Sequence, residues 1–214
     1  MRFVSQSELP AGEPYERHIF QTASCPTREN LHDFFNGLCW LHWPQAKRRL
    51  NALQAEQIAA AGVGARRGAV RDAITVFDEN GAVLYAPEPL WKALEARDWR
   101  SLFIDLRPLW RDARLTLFGH ALMEKLAQPR KALTAHIWRL PCPATSIADA
   151  DAWLVQQLGR DQLAAKPFIP LPVLGVPGWC PENQNFFFYD DSFVFRPLAR
   201  QNLTTTPAPR ASST

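Results

Sequence analysis

The 214-residue chain reads as a helix-rich α+β domain with a small sheet and a long, irregular, proline-rich C-terminal wrap. Three observations lead there. Apolar residues recur at helical spacing in the first quarter of the chain and again between Leu115 and Leu126. Between these stretches lie β-forming runs with turn chemistry, Ile74 to Phe77, Asn80-Gly81 and Ala82 to Tyr85. Ten of the 18 prolines follow residue 140, where they oppose both helices and central strands.

Taken in order, residues 1–26 carry Pro10, Pro14 and Pro26 with little periodicity, so an extended lead-in is expected, partly ordered by Tyr15, Ile19 and Phe20. Thr27 is placed to cap a helix running to Trp43, where Pro44 stops it. Leu31, Phe34, Phe35, Leu38, Leu41 and His42 share one arc of that helix, beside a second stripe of His32, Asn36, Cys39 and Trp43. A surface helix follows from about Ala46 to Ala60, with a narrow seam of Ala46, Leu50 and Leu53, and then a loop of Gly62, Gly64 and Gly68. Residues 74–85 are expected to form a hairpin turned at Asn80-Gly81. Short helices around Leu90 to Leu94 and beyond Trp99 lead to a helix from Asp112 to Ala127, a buried strand from Thr134 to Leu140 and a helix from Asp149 to Leu158. Phe168 to Pro181 wraps the body as extended chain. The expected organisation is a single globular domain over residues 1–200, closed by a disordered tail over 201–214.

Composition narrows the class of protein. With 47% hydrophobic and 21% charged residues, the chain has globular proportions, not those of a disordered tail, a collagen or a coiled-coil rod. A net charge of +3 is too small to imply an anionic partner. No apolar run is long enough for a membrane span, and the N-terminus lacks the apolar segment of a secretory signal, so a cytosolic protein is expected. Cys25, Cys39, Cys142 and Cys180 are irregularly spaced, which reads as free thiols rather than a zinc or redox motif.

Two pairs of side chains are candidates for chemistry. His32 and Asn36 stand four residues apart on one helix face; histidine titrates near neutrality and so suits acid–base work. His120 and Glu124 repeat that spacing, by which one helix face can offer two ligands to a metal. Each pair also has a plain structural reading, as a histidine bonded to backbone and as an ordinary helical ion pair. Asp78 is a further carboxylate, with a turn-stabilising role as its alternative, and His136 on the buried strand is a third ligand that only folding could bring to His120 and Glu124. Asp190 and Asp191 read as the cap of a short helix. Lipase-type, phosphate-loop and dinucleotide-binding motifs are absent from the sequence.

Five segments together resemble a known family: PTRENLHDFFNGLCWLHWPQAKRRLNALQ, RRGAVRDAITVFDENGAVL, LFGHALMEKL, LTAHIWRL and LPVLGVPGWCPENQNFFFYDDSFVFRP. In that order, from about Phe20 to Pro197, they are similar to the bacterial family catalogued as domain of unknown function 3025. The resemblance implies a bacterial, single-domain protein and brings no activity, cofactor or catalytic residue with it.

The expectation is therefore an enzyme or small-molecule binder of hydrolase type, its pocket gathering His32, Asn36, His120, Glu124 and Asp78 with tryptophan walls. A divalent metal held by His120, Glu124 and His136 is the cofactor considered. The alternative is a non-enzymatic interaction protein. It would grip an anionic or nucleic-acid partner through a basic face over residues 47–71, where Lys47, Arg48, Arg49, Arg66, Arg67 and Arg71 face Glu56 alone.

Overall fold

The computed structural model describes residues 1–61 and 68–198; Gly62 and Gly64 of the expected glycine loop, Arg66 and Arg67, and the expected tail over 201–214 lie outside them. The α+β class stands. Its N-terminal part is more regular than the prolines suggest: β1 (Arg2–Ser5) and β2 (Ser24–Thr27) pair in parallel, with α1 (Tyr15–Thr22) between them in sequence. Pro14 immediately precedes α1, where its missing N–H interrupts no helical bond, and Ala23 ends the helix in the left-handed conformation at φ 51°.

Helix α2 (Leu31–His42) starts at Asn30, whose Oδ1 accepts the Asp33 N–H at 2.8 Å; Thr27 closes β2 and is not the cap. The apolar arc of α2 is not its buried face. Leu31, Phe34 and Leu41 are more than half exposed, while Asp33, Asn36, Cys39 and Trp40 point inward. The inversion is stable because Asp33, Asn36 and Cys39 each meet hydrogen-bond partners, so their desolvation is compensated. Helix α3 (Pro44–Ala61) buries Ala46, Leu50 and Leu53 as the spacing predicts. Its N-terminus is capped from another element: buried Asp151 on α7 (Ile147–Gln157) accepts the Gln45 and Ala46 N–H groups at 2.9 and 2.8 Å.

Residues 74–85 do not form a hairpin. Ala69–Asn80 is helix α4, which buries Ala73, Ile74 and Phe77 at a helical period, and only Gly81–Tyr85 is extended, as β3. Tertiary burial of Ile74 and Phe77 outweighs their β propensity. Asn80-Gly81 is thus a helix-to-strand junction. A Cβ on Gly81 would stand 2.4 Å from the Phe77 carbonyl, so only glycine permits so tight a joint.

The expected helix over 112–127 also divides. After α5 (Glu88–Glu95) and short helical turns, β4 (Arg114–Leu117) is extended, and α6 (His120–Leu126) begins beyond Gly119. Leu115 and Leu117 pack with one core and Phe118 with the other, so a two-residue period underlies the spacing that looked helical. With β5 (Thr134–Arg139) and, after α8 (Arg160–Ala164), β6 (Ile169–Pro172), these strands form a sheet in the order β4-β3-β5-β6. The central β3 and β5 are parallel and both edge strands antiparallel to them. Pro170 and Pro172 fall on the edge strand, where a missing N–H breaks no ladder.

Each strand divides its residues between two cores. Ala82, Leu84, Ala135, Ile137 and Leu171 face α5, the turns over 101–112 and the C-terminal segment. Val83, Phe118 and Trp138 face α3, α4, α7 and α8. Among the described residues no helix is long and apolar enough to cross a membrane. Helices α1, α2, α3, α4 and α6 meet beside the second core, and that meeting encloses the candidate site.

Candidate functional site

Backbone placement comes first. Gly119 precedes α6, and a Cβ there would lie 2.4 Å from the Glu79 carbonyl oxygen and 2.6 Å from the Asn80 nitrogen. This close approach sets the start of α6 against the end of α4. His120, the first residue of α6, then places Nδ1 2.8 Å from the Asp78 carbonyl oxygen. Helix α2 is fixed to the same strand end: the Cys39 thiol donates to the Phe118 carbonyl at 3.0 Å and Trp43 Nε1 donates to the Leu117 carbonyl at 3.1 Å. Burial pushes the Cys39 thiol up to about 12, so it serves as a tether and not as a nucleophile.

With α2 and α6 so held, His32 meets both predicted partners of α6. Its Nδ1 lies 2.9 Å from Glu124 Oε2, and its Nε2 lies 3.2 Å from His120 Nε2, the rings meeting edge-on at 79°. The Asp78 carbonyl can only accept, so His120 Nδ1 carries a hydrogen and a neutral His120 turns its Nε2 lone pair towards His32. Burial, with the charges of Lys47 and His32, outweighs the Asp78 carboxylate and depresses His120 to about 4, which keeps it neutral. An ionised Glu124 also accepts. All three contacts are therefore satisfied when His32 carries hydrogen on both nitrogens.

Behind the histidines lies a buried polar row. Lys47 Nζ donates to Asp78 Oδ1 at 2.6 Å and to Asn36 Oδ1 at 3.0 Å; Asn36 Nδ2 donates to the Tyr15 hydroxyl at 3.2 Å. Burial opposes the charge of Lys47, yet the neighbouring Asp78 carboxylate outweighs it and holds the amine above the ordinary lysine value. Burial first, and the charge of Asp78 second, raise Glu16 above the usual carboxylate range. Tyr15, beside Cys25, is raised by burial too. Arg28, also in the lining, holds Asp33 by a two-pronged ion pair.

These groups line a cavity of about 410 Å3, with Lys47 and His120 deep inside it and His32 at its open rim. The structure thus brings His32, Asn36, His120 and Asp78 to one pocket, with Glu124 bonded to its rim. The tryptophan walls reduce to Trp40, whose ring lies 5.2 Å from Lys47 Nζ. His136 is elsewhere. It packs edge-on against Phe168 and lines a separate groove with Glu124, whose carboxylate is turned to His32. Among the described residues no group of three or more His, Cys, Asp and Glu side chains is arranged to hold a metal ion, so His120, Glu124 and His136 do not form the expected shell.

Tyr15, Glu16 and Lys47 are pocket residues that the sequence did not assign to the site. A signal for Lys47 existed, because Lys47, Asn51 and Gln54 repeat at positions i, i+4 and i+7 of α3 beside its apolar seam. Lys47 and Asn51 are buried, not members of a basic surface, and Arg49 donates to the Leu158 carbonyl at 2.9 Å. The basic stretch over 47–71 is therefore interrupted at its first member, and Arg66 and Arg67 lie outside the described residues.

No curated protein and no solved structure matches the chain. One family model matches residues 1–199, nearly the whole chain, and the chain belongs to that family, described as Protein of unknown function (DUF3025).

Proposed function

We propose that the chain is an enzyme that hydrolyses a small polar molecule by acid–base catalysis in this pocket. The observation that carries the reading is the chain Glu124–His32–His120–Asp78 carbonyl, in which each histidine is oriented through Nδ1 and the two Nε2 atoms meet 3.2 Å apart in the lining of the cavity. A histidine held by a carboxylate is an oriented proton donor, and a neutral histidine held by a carbonyl is an oriented acceptor. Substrate and water entering between the two Nε2 atoms replace the hydrogen bond that joins them: His120 Nε2 then accepts a proton from the attacking water, His32 delivers its proton to the leaving group, and return of the proton from His120 to His32 restores the pair. Lys47, Asn36 and Asp78 offer polar atoms on the inner wall, suited to a hydroxyl-, amide- or carboxyl-bearing substrate of a size that about 410 Å3 admits.

The test is a panel of chromogenic esters, phosphoesters and amides. Turnover of one class is expected, falling by about 100-fold or more in His32→Gln and His120→Gln. It should be unchanged in His42→Gln, which replaces an exposed histidine at the end of the same helix. Turnover indifferent to His32→Gln, or no turnover of any class, sinks the reading.

A further inference from the structure

Two imidazole Nε2 atoms 3.2 Å apart are at the long end of a hydrogen bond. They are also spaced as two ligands of one metal ion. With metal–nitrogen bonds of about 2.0–2.1 Å, a separation of 3.2 Å closes a nitrogen–metal–nitrogen angle of about 100°, near the tetrahedral value. Hydrogen-bond partners at the other ring nitrogens are what a ligating pair requires, since histidine ligands donate their second N–H to a carboxylate or a backbone carbonyl. Here His32 Nδ1 meets the Glu124 carboxylate at 2.9 Å and His120 Nδ1 meets the Asp78 carbonyl at 2.8 Å. Both outer contacts are in place.

We propose that His32 Nε2 and His120 Nε2 form a two-histidine seat for a divalent transition-metal ion of the zinc, cobalt or nickel class, with water or substrate completing its coordination from the cavity. The ligand set differs from the one that the sequence suggested: Glu124 orients His32 and does not bind the ion, and His136 takes no part. Imidazole nitrogen favours these borderline metals over calcium or magnesium, which prefer oxygen. Two protein ligands leave at least two positions open on the pocket side, one more than a catalytic zinc site with three protein ligands keeps for water or substrate. The seat holds either a proton or a cation, because each occupies the same gap between the two lone pairs. This inference rests on the reading of the pocket as a hydrolytic site, with the ion supplying a polarised water when bound.

Its test reads binding apart from activity. The metal-free chain is titrated with Zn2+ by calorimetry and with Co2+ by visible absorption. Expected are one ion per chain with micromolar affinity and a cobalt d–d band. Both signals are lost in His32→Gln and in His120→Gln, affinity falls about 10- to 100-fold in Glu124→Gln, and His136→Gln and His42→Gln change nothing. His32 stands at the open rim, so His32→Gln keeps the test decisive even where His120→Gln fails to fold. Absence of one-to-one binding up to millimolar Zn2+, or binding that survives His32→Gln, overturns the proposal, as does loss of binding in His136→Gln. Hydrolysis that persists in chelator while no ion binds removes the metal seat and leaves the acid–base reading standing. Ion binding without turnover of any substrate class does the reverse.

Discussion

Lys47 lies on a helix rich in Lys, Arg, Gln and Glu, yet only 4% of it is exposed, because Asp78, Asn36 and the ring of Trp40 surround its amine. Removing one partner of such a pair leaves the other charge without compensation. Lys47→Met is expected to destabilise the fold by about 3 kcal/mol, at the low end of the range for broken buried pairs since Asp78 retains some solvent contact. Adding Asp78→Asn should recover part of that loss, and urea denaturation of both variants measures it. Stability of Lys47→Met within about 0.5 kcal/mol of the parent, the range of an ordinary surface change, contradicts the pairing. The same residue shows what sequence could say of the site. His32 with Asn36 and His120 with Glu124 are readable as neighbours, because helical spacing puts i and i+4 on one face. That His32 and His120, 88 positions apart, touch is not readable: it depends on Gly119 allowing α6 to lie against α4. Lys47 was misplaced for a simpler reason, that a charged residue next to an apolar seam looks like a solvated flank until its partners are known.

The joints between elements carry as much of the site as the elements do. Gly119 admits no side chain without movement, since a Cβ would meet the backbone of Glu79 and Asn80 and not a flexible side-chain end. Gly119→Ala should therefore push α6 away from α4 and lengthen the His120–Asp78 contact. The expected result is a destabilisation of about 1–3 kcal/mol, as for overpacking, together with a changed NMR signature of the His120 ring. A variant with parental stability and unshifted imidazole resonances means that α6 is placed by something else. Helices α2, α3 and α7 were legible from their apolar spacing and from Pro44 between α2 and α3, whereas their caps were not: α2 is capped by Asn30 instead of Thr27, and α7 by Ser146. Residues 69–85 were not: ITVF followed by Asn-Gly is strong local evidence for a hairpin. The partners that make β3 a strand are β4 and β5, roughly 30 to 60 residues further along the chain. Non-local pairing converted an apparent two-stranded ribbon into a helix followed by the centre of a sheet.

At the scale of the whole molecule, the proline-rich C-terminal segment is a structural member of the main body and not a coat laid over it. It contributes β6 to the sheet edge, and Leu171, Val173, Leu174, Val176, Tyr189 and Phe195 to the same core as Leu84, Leu94 and Phe103. Proline withholds N–H groups from this segment, so its remaining carbonyls need donors from elsewhere. Asn183, fully buried, supplies two of them: Nδ2 donates to the Leu174 and Val176 carbonyls at 2.9 and 2.8 Å, while its Oδ1 accepts from Arg107 at 3.2 Å. The Tyr189 hydroxyl donates to the Gly175 carbonyl at 2.9 Å, and Trp99 Nε1 donates to the Arg196 carbonyl at 2.8 Å. Asn183→Ala strips partners from two buried carbonyls and one guanidinium, at a cost of about 2–4 kcal/mol, or a fall in Tm of roughly 5–12 °C for a chain of this size. Because the segment shares its core with the sheet, its release exposes that core, and the loss should shift one cooperative transition. Calorimetry of Asn183→Ala distinguishes the two arrangements. A single peak at lower temperature fits an integrated wrap, whereas a separate low-temperature transition, with the main peak unmoved, would show a C-terminal segment that unfolds independently of the sheet it borders.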